Sequence, residues 1–141
     1  IGARQGDFSS DLTRMAVIGT PPPDYDLVHA AVEAAVQAAL LAARPGVRAS
    51  TVDRAARQVI DAAGFGQYFV HRTGHGMGLE GHEPPYIAQA AETVLSEGMV
   101  FSIEPGIYLP GKFGVRLEEI VILHADGPEI LSKLPRGVVC K

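Results

Sequence analysis

At Gly64 the chain changes period, and that change limits its possible folds more than any other feature of the sequence. Before it, Leu27, Val28, Ala31, Val32, Ala35, Val36, Ala39 and Leu40 recur at the spacing of one helix face. Asp24 stands where an N-cap would, and Pro45-Gly46 closes the run near Ala43. Ser50 with Asp53 has the form of a capping box and opens a second helix. Val52, Ala55, Ala56, Val59, Ile60 and Ala63 share its face. Beyond Gly64, short β-type runs take over at 69–72, 99–104, 115–123 and 129–131, and an earlier strand covers 9–18. Two helices laid on one face of a curved antiparallel sheet is the α+β layering that this order predicts. With 141 residues and 47% apolar content, the chain can build one core, so 1–141 reads as a single domain.

Charge and cysteine content exclude several functions. The formal net charge is −4 and the Lys and Arg residues are scattered, which leaves no basic footprint for nucleic acid. Cys140 is the only cysteine, so no intrachain disulfide forms, in keeping with a reducing, cytoplasmic setting. No uninterrupted apolar stretch reaches the length of a membrane span.

Four segments hold the residues a metal site needs: 9–14 (SSDLTR), 71–85 (HRTGHGMGLEGHEPP), 101–106 (FSIEPG) and 114–119 (GVRLEE). Each sets a carboxylate or imidazole beside glycine, proline or a β-rich run. Asp11, His75, Glu104 and Glu118 form an oxygen-rich, one-histidine set suited to Mn²⁺, Co²⁺, Fe²⁺ or Zn²⁺ acting as Lewis acid and water activator. Taken singly, Asp11 reads more readily as the end of a turn or an anchor for Arg14 than as a ligand. Glu104 is more pointed, because a carboxylate following the apolar run 100–103 needs a cation or hydrogen-bond donors. Period-two alternation places Arg116, Glu118, Ile120 and Ile122 on one strand face and turns Glu119 to the other, where it reads as solvated. Other matches fail. The G-x-G-x-x-G at 76–81 is followed by His82-Glu83-Pro84-Pro85 instead of a helix. His82-Glu83 lacks the second histidine of H-E-x-x-H, and a single cysteine cannot complete a zinc finger.

In order and spacing, the four segments resemble the pita-bread metallopeptidases, over residues 1 to about 123. Arg116-Leu117-Glu118-Glu119 is similar to the Arg-x-Glu-Asp run of their proline-peptidase branch, where Xaa-Pro dipeptidases and aminopeptidases belong. The resemblance implies two divalent metals, Mn²⁺ foremost, bridged by Asp11 and Glu118, with His75 and Glu104 completing one of them. It also implies cleft roles for His71, His82 and Arg116: His82 on the scissile carbonyl, and Arg116 in substrate positioning or proton traffic. Glu104 would shuttle a proton. The expected activity is hydrolysis of the Xaa-Pro bond in dipeptides, with aminopeptidase action, a binding module or an inert half-enzyme as alternatives. A dipeptidase must hold its substrate's C-terminal carboxylate; Arg72, Lys112 and Arg116 are the cations available, since Tyr86 rather than an arginine follows the HE-x-P motif. His29 and His124 match no functional position and read as surface residues.

The family pattern has a fifth ligand, an aspartate two residues before Gly2-Ala3. A hairpin turning at Gln5-Gly6 would set Ala3 opposite Phe8 and that aspartate opposite Asp11. The expectation is thus a C-terminal portion of the catalytic domain, inactive by itself, whose partners are the missing N-terminal half, a second copy in a homodimer, and a peptide with proline in second position.

Overall fold

The computed structural model describes residues 1–141. Its elements run β1 (Gly2–Gln5), β2 (Phe8–Asp11), β3 (Ala16–Val17), α1 (Tyr25–Ala42), α2 (Ala49–Ala62), β4 (Gly74–Gly76), β5 (Glu83–Ile87), β6 (Val100–Ile103), β7 (Gly106–Leu109), β8 (Phe113–Arg116), β9 (Glu119–His124), β10 (Gly127–Ile130) and β11 (Val139–Cys140). The main sheet is antiparallel, in the order β10-β9-β6-β4-β5. Hairpins β1-β2 and β7-β8 and a parallel β3-β11 pair stand apart from it.

Alternation gives the sheet two different faces. Phe101, Ile103, Val121 and Leu123 are fully buried and join Val28, Val32, Val36, Val52 and Ile60 of the helices in one core. Complete burial of side chains of this size stabilises the fold by about 1.5–3 kcal/mol each. The opposite face carries Val100, Ser102 and Ile120, which register pairing keeps together. By length and apolar content α1 could cross a membrane, yet half of it is buried in this core, so it serves as a core helix. Leu27 leaves the expected stripe and is exposed.

Local expectations need several corrections. The helix starts are satisfied by other means than predicted. Asp24 sits at the N-cap of α1 in a left-handed conformation (φ 67°) with no side-chain cap bond. Helix α2 begins before Ser50, and the amides of Ala49 and Ser50 donate instead to the carbonyls of Thr93 and Ala91. Asp53 is therefore free of capping duty, and it is fully buried. No strand forms at 69–72, since a 3-10 turn at Gly66–Tyr68 precedes β4. The strands expected over 9–18 and 115–123 each break in two. In the first hairpin, Gly2 lies opposite Asp11 and Gln5 opposite Phe8. The turn falls on Gly6-Asp7, where Gly6 (φ 59°) occupies the first central position, the place glycine takes in type II′ hairpin turns.

Two side chains expected at the surface are inside. His29 is buried, its Nε2 3.0 Å from the Arg136 carbonyl. Glu119 does point away from Glu118, but that direction is the helix side of the sheet. There Arg14 Nη2 donates to its Oε1 at 2.7 Å, with Arg136 Nε at 3.9 Å. Arg14 is thus the partner of Glu119 and not of Asp11.

Candidate metal centre

Four chain segments meet on the sheet face that the helices leave uncovered. Strand β4 is pressed between β5 and β6, which explains the glycines around His75. A Cβ on Gly74 would collide with the Ser102 carbonyl oxygen, and one on Gly76 with the backbone of Pro84. The β4-β5 register shifts between His75 and Gly76, a bulge of the kind that re-aims a side chain beside a functional site. Hairpin β1-β2 is tied to this surface by the Ser9 amide donating to the Gly78 carbonyl. The Glu118 amide donates to the Thr13 carbonyl in the gap between β8 and β9.

The result is a cluster in which ligand atoms of Asp11, His75 and Glu118 all lie within 4.8 Å of one another. Glu104, just after β6, brings Oε1 to 3.1 Å from His75 Nε2 and accepts a hydrogen bond from Ser102 Oγ. His75 Nδ1 lies 3.0 Å from the Gly76 carbonyl, which as an acceptor fixes the proton there. Nε2 and the Glu104 oxygen thus face each other with lone pairs, an arrangement that only a proton or a cation between them stabilises. Two ligands of one metal at right angles stand about 3 Å apart, given bond lengths near 2.1 Å. Glu118 Oε2 accepts from Thr13 Oγ1 at 2.6 Å, whereas its Oε1 is buried with no partner at all.

The electrostatics follow from this crowding. Burial raises the Glu118 pKa, repulsion from Glu104 and Asp11 adds to it, and the Thr13 bond only partly opposes them. Burial also acts against charge on His75 and Glu104, but there it is outweighed. Their mutual hydrogen bond, with help from Gly76 and Ser102, leaves His75 raised and Glu104 lowered. Three carboxylates around one imidazole, with a buried oxygen unpaired, fit a divalent cation.

A cleft of about 500 Å³ opens over the cluster, lined by His71, Arg72, His75, His82, Glu104 and Arg116. This is within the size range of small-ligand pockets. The His82 ring lies 4.0 Å from that of His75, and its side chain is exposed to the cleft. His71 Nδ1 lies 2.7 Å from the Arg72 carbonyl, to which it donates, and Nε2 lies 2.9 Å from the Tyr108 hydroxyl, so the ring is held on both sides. Arg116 Nε donates to Thr13 Oγ1 at 3.2 Å and stands 4.0 Å from Glu104.

All seven residues singled out from the sequence (Asp11, His71, His75, His82, Glu104, Arg116 and Glu118) thus lie in the cluster or its cleft. Those it missed are supports. Thr13 and Ser102 lie two residues from Asp11 and Glu104, so alternation could have pointed to them. Asp53 of α2 accepts from the Thr73 amide and hydroxyl and from Arg57, which in turn donates to the carbonyls of Phe69 and His71. This clamp fixes the stretch leading into His75, and neither its loop partners nor Tyr108 had any sequence signal.

Comparison with known proteins gives one answer at both levels. The model of metallopeptidase family M24 matches residues 1–125. A probable dipeptidase PepE from Mycobacterium tuberculosis is 48% identical over 99% of this chain, and an Xaa-Pro dipeptidase from Pyrococcus furiosus 45% identical over 99%. The alignments cover 37% and 40% of those proteins, so the chain spans about two-fifths of their length. The crystal structure of an X-Pro aminopeptidase from Thermotoga maritima superposes with a TM-score of 0.96 at 44% identity, covering 99% of this chain and 40% of that one. The sheet with its two helices is accordingly part of the pita-bread fold.

Proposed function

We propose, from the premise that this chain belongs to metallopeptidase family M24, that it carries the metal-binding side of a peptidase active site. In our reading the protein hydrolyses the Xaa-Pro bond of dipeptides. The observation that carries this is the convergence of Asp11, His75 and Glu118, with Glu104 beside them and one buried Glu118 oxygen left unpaired. The likeness to an Xaa-Pro dipeptidase supports the substrate class; the likeness to an X-Pro aminopeptidase keeps that activity as the second reading.

Asp11 and Glu118 would lie between two divalent ions, Mn²⁺ foremost, with Co²⁺, Zn²⁺ or Fe²⁺ as alternatives; His75 and Glu104 would complete one of them. Bound there, the metals supply Lewis acidity and a water whose pKa falls towards neutrality. Glu104, which accepts a hydrogen bond from Ser102, would take up a proton from the attacking water. His82, unbonded and facing the cleft, donates to the oxygen on which charge develops. His71 walls the cleft, held through Tyr108, and Arg116 holds Thr13 and faces Glu104. Residues 1–141 form one unit, the C-terminal portion of the catalytic domain. We read the remaining length of its relatives as completing the pocket, in a cytoplasmic homodimer.

The test is hydrolysis of Ala-Pro by the intact protein, with metal content measured on the same sample. Activity should depend on added Mn²⁺ and disappear on chelation. His82→Ala should lower kcat about 10²–10³-fold with metal content unchanged. A metal-loaded intact protein that cleaves no Xaa-Pro peptide would defeat the reading.

A further inference from the structure

The cleft holds two cations, and only one is free. Arg116 is engaged with Thr13 Oγ1 and lies next to Glu104. Lys112 is elsewhere, on the surface with Pro22, Pro23, Asp24 and Phe113. Arg72 makes no hydrogen bond through its side chain and enters no ion pair; its guanidinium lies over the Tyr86 ring, 4.8 Å from the centroid. Tyr86 is the register partner of His75, and directly opposed residues present their side chains on one face of a sheet. Tyr86 therefore seats Arg72 on the face that carries the metal ligands. His75 is only three residues on, at most about 10 Å of chain.

We infer that Arg72, braced on Tyr86, binds the free C-terminal carboxylate of the substrate and so restricts the site to dipeptides. The inference rests on the peptidase reading above and assigns the specificity that reading leaves open. In an Xaa-Pro dipeptide the carboxylate is one residue from the scissile carbonyl, about 3.8 Å along the chain. Its counter-charge must therefore stand at the edge of the metal cluster, where Arg72 is. Stacking on an aromatic face orients the guanidinium plane and leaves its N–H edge free for two parallel bonds to a carboxylate. A longer peptide or a C-terminal amide offers no charge there and leaves Arg72 unpaired.

The experiment compares Ala-Pro with its C-terminal amide on the metal-loaded intact protein, wild type and variants, with metal content measured alongside. Wild type should prefer the free acid. Arg72→Met should raise KM for Ala-Pro about 10- to 100-fold and abolish the preference, the loss expected for charge-assisted hydrogen bonds. Arg72→Lys should restore part of it as a charge without the fork, and Lys112→Met should leave the preference intact. A wild type that cleaves the amide as readily as the acid overturns the inference while the peptidase reading stands. So does an Arg72→Met protein that keeps its preference, or one that loses kcat on both substrates together with its metal. If wild type cleaves neither substrate, the peptidase reading falls and the inference with it.

Discussion

Glu118 and Glu119 are neighbours in the chain, equally buried, and opposite in circumstance. Glu119 looks to the helix side of the sheet, where Arg14 and Arg136 approach its Oε1, although its Oε2, like Oε1 of Glu118, is buried with no hydrogen-bond partner; what separates the two is the charge around them. Glu118 looks to the other side and meets Thr13 on one oxygen, nothing on the second, and two further carboxylates nearby. The first face has its charge matched within the fold; the second has an excess of negative charge that the fold does not match. Burial alone does not mark a ligand. Burial amid an excess of like charge points to one: here three carboxylates share the single guanidinium of Arg116.

The strongest test of this contrast is metal binding. Glu118→Ala in the intact protein should remove both metals and lower activity by more than about 100-fold, since losing a ligand exceeds the loss typical of an outer-shell partner. Metal analysis with unchanged stoichiometry would make Glu118 an ordinary buried acid. Glu119→Ala should keep its metals but destabilise the protein by about 3 kcal/mol, leaving Arg14 buried without its partner.

In metal-free protein the contrast should change sign. The folded pKa of Glu118 is raised above its unfolded value, so its ionisation opposes folding: its contribution is favourable below the unfolded pKa and is lost as pH rises through the folded one. Glu118→Gln should therefore raise the melting temperature of metal-free protein at neutral pH, and Glu119→Gln should lower it. Equal shifts in a thermal denaturation series would erase the distinction.

Acidification should sharpen it next. Protons compete with metal for Glu118, so affinity should begin to fall at a higher pH than an ordinary carboxylate would allow. The decline approaches about tenfold per pH unit for one proton displaced. Titration calorimetry across pH 5 to 7 reads this, and a pH-independent affinity would remove Glu118 from the ligand set. The smallest effect belongs to Thr13→Val, which deprives Glu118 Oε2 of its donor. Metal affinity should drop by about tenfold at most, the lower end for outer-shell partners. No measurable loss would mean that the 2.6 Å bond does not orient the ligand.

The sequence made the candidate ligands legible because backbone and chemistry agreed at those positions: glycines on both sides of His75, an apolar run into Glu104, and alternation through Glu118. Helix extents were legible too, since their apolar spacing spans many residues. Pairwise details were not. Ser50 and Asp53 match a capping box in spacing, but the carbonyls of Ala91 and Thr93 had already satisfied the first amides of α2. Glu119 seemed solvated because alternation names a face without saying what covers it. The hairpin register depended on which two residues turn, and a glycine fits either choice.

The hold of Asp53 on Thr73 carries a consequence for motion. Thr73 and His75 share one short stretch, so a shift of that strand must release the Thr73 hydroxyl and amide from the buried helix carboxylate and the amide from the Ile87 carbonyl as well. Thermal breathing of the centre is thereby coupled to opening of α2. The Thr73 amide should exchange with solvent deuterium as slowly as the middle of that helix, though the cleft lies only a few residues away. A site fastened in this way would meet a substrate already shaped, with little left to rearrange on arrival.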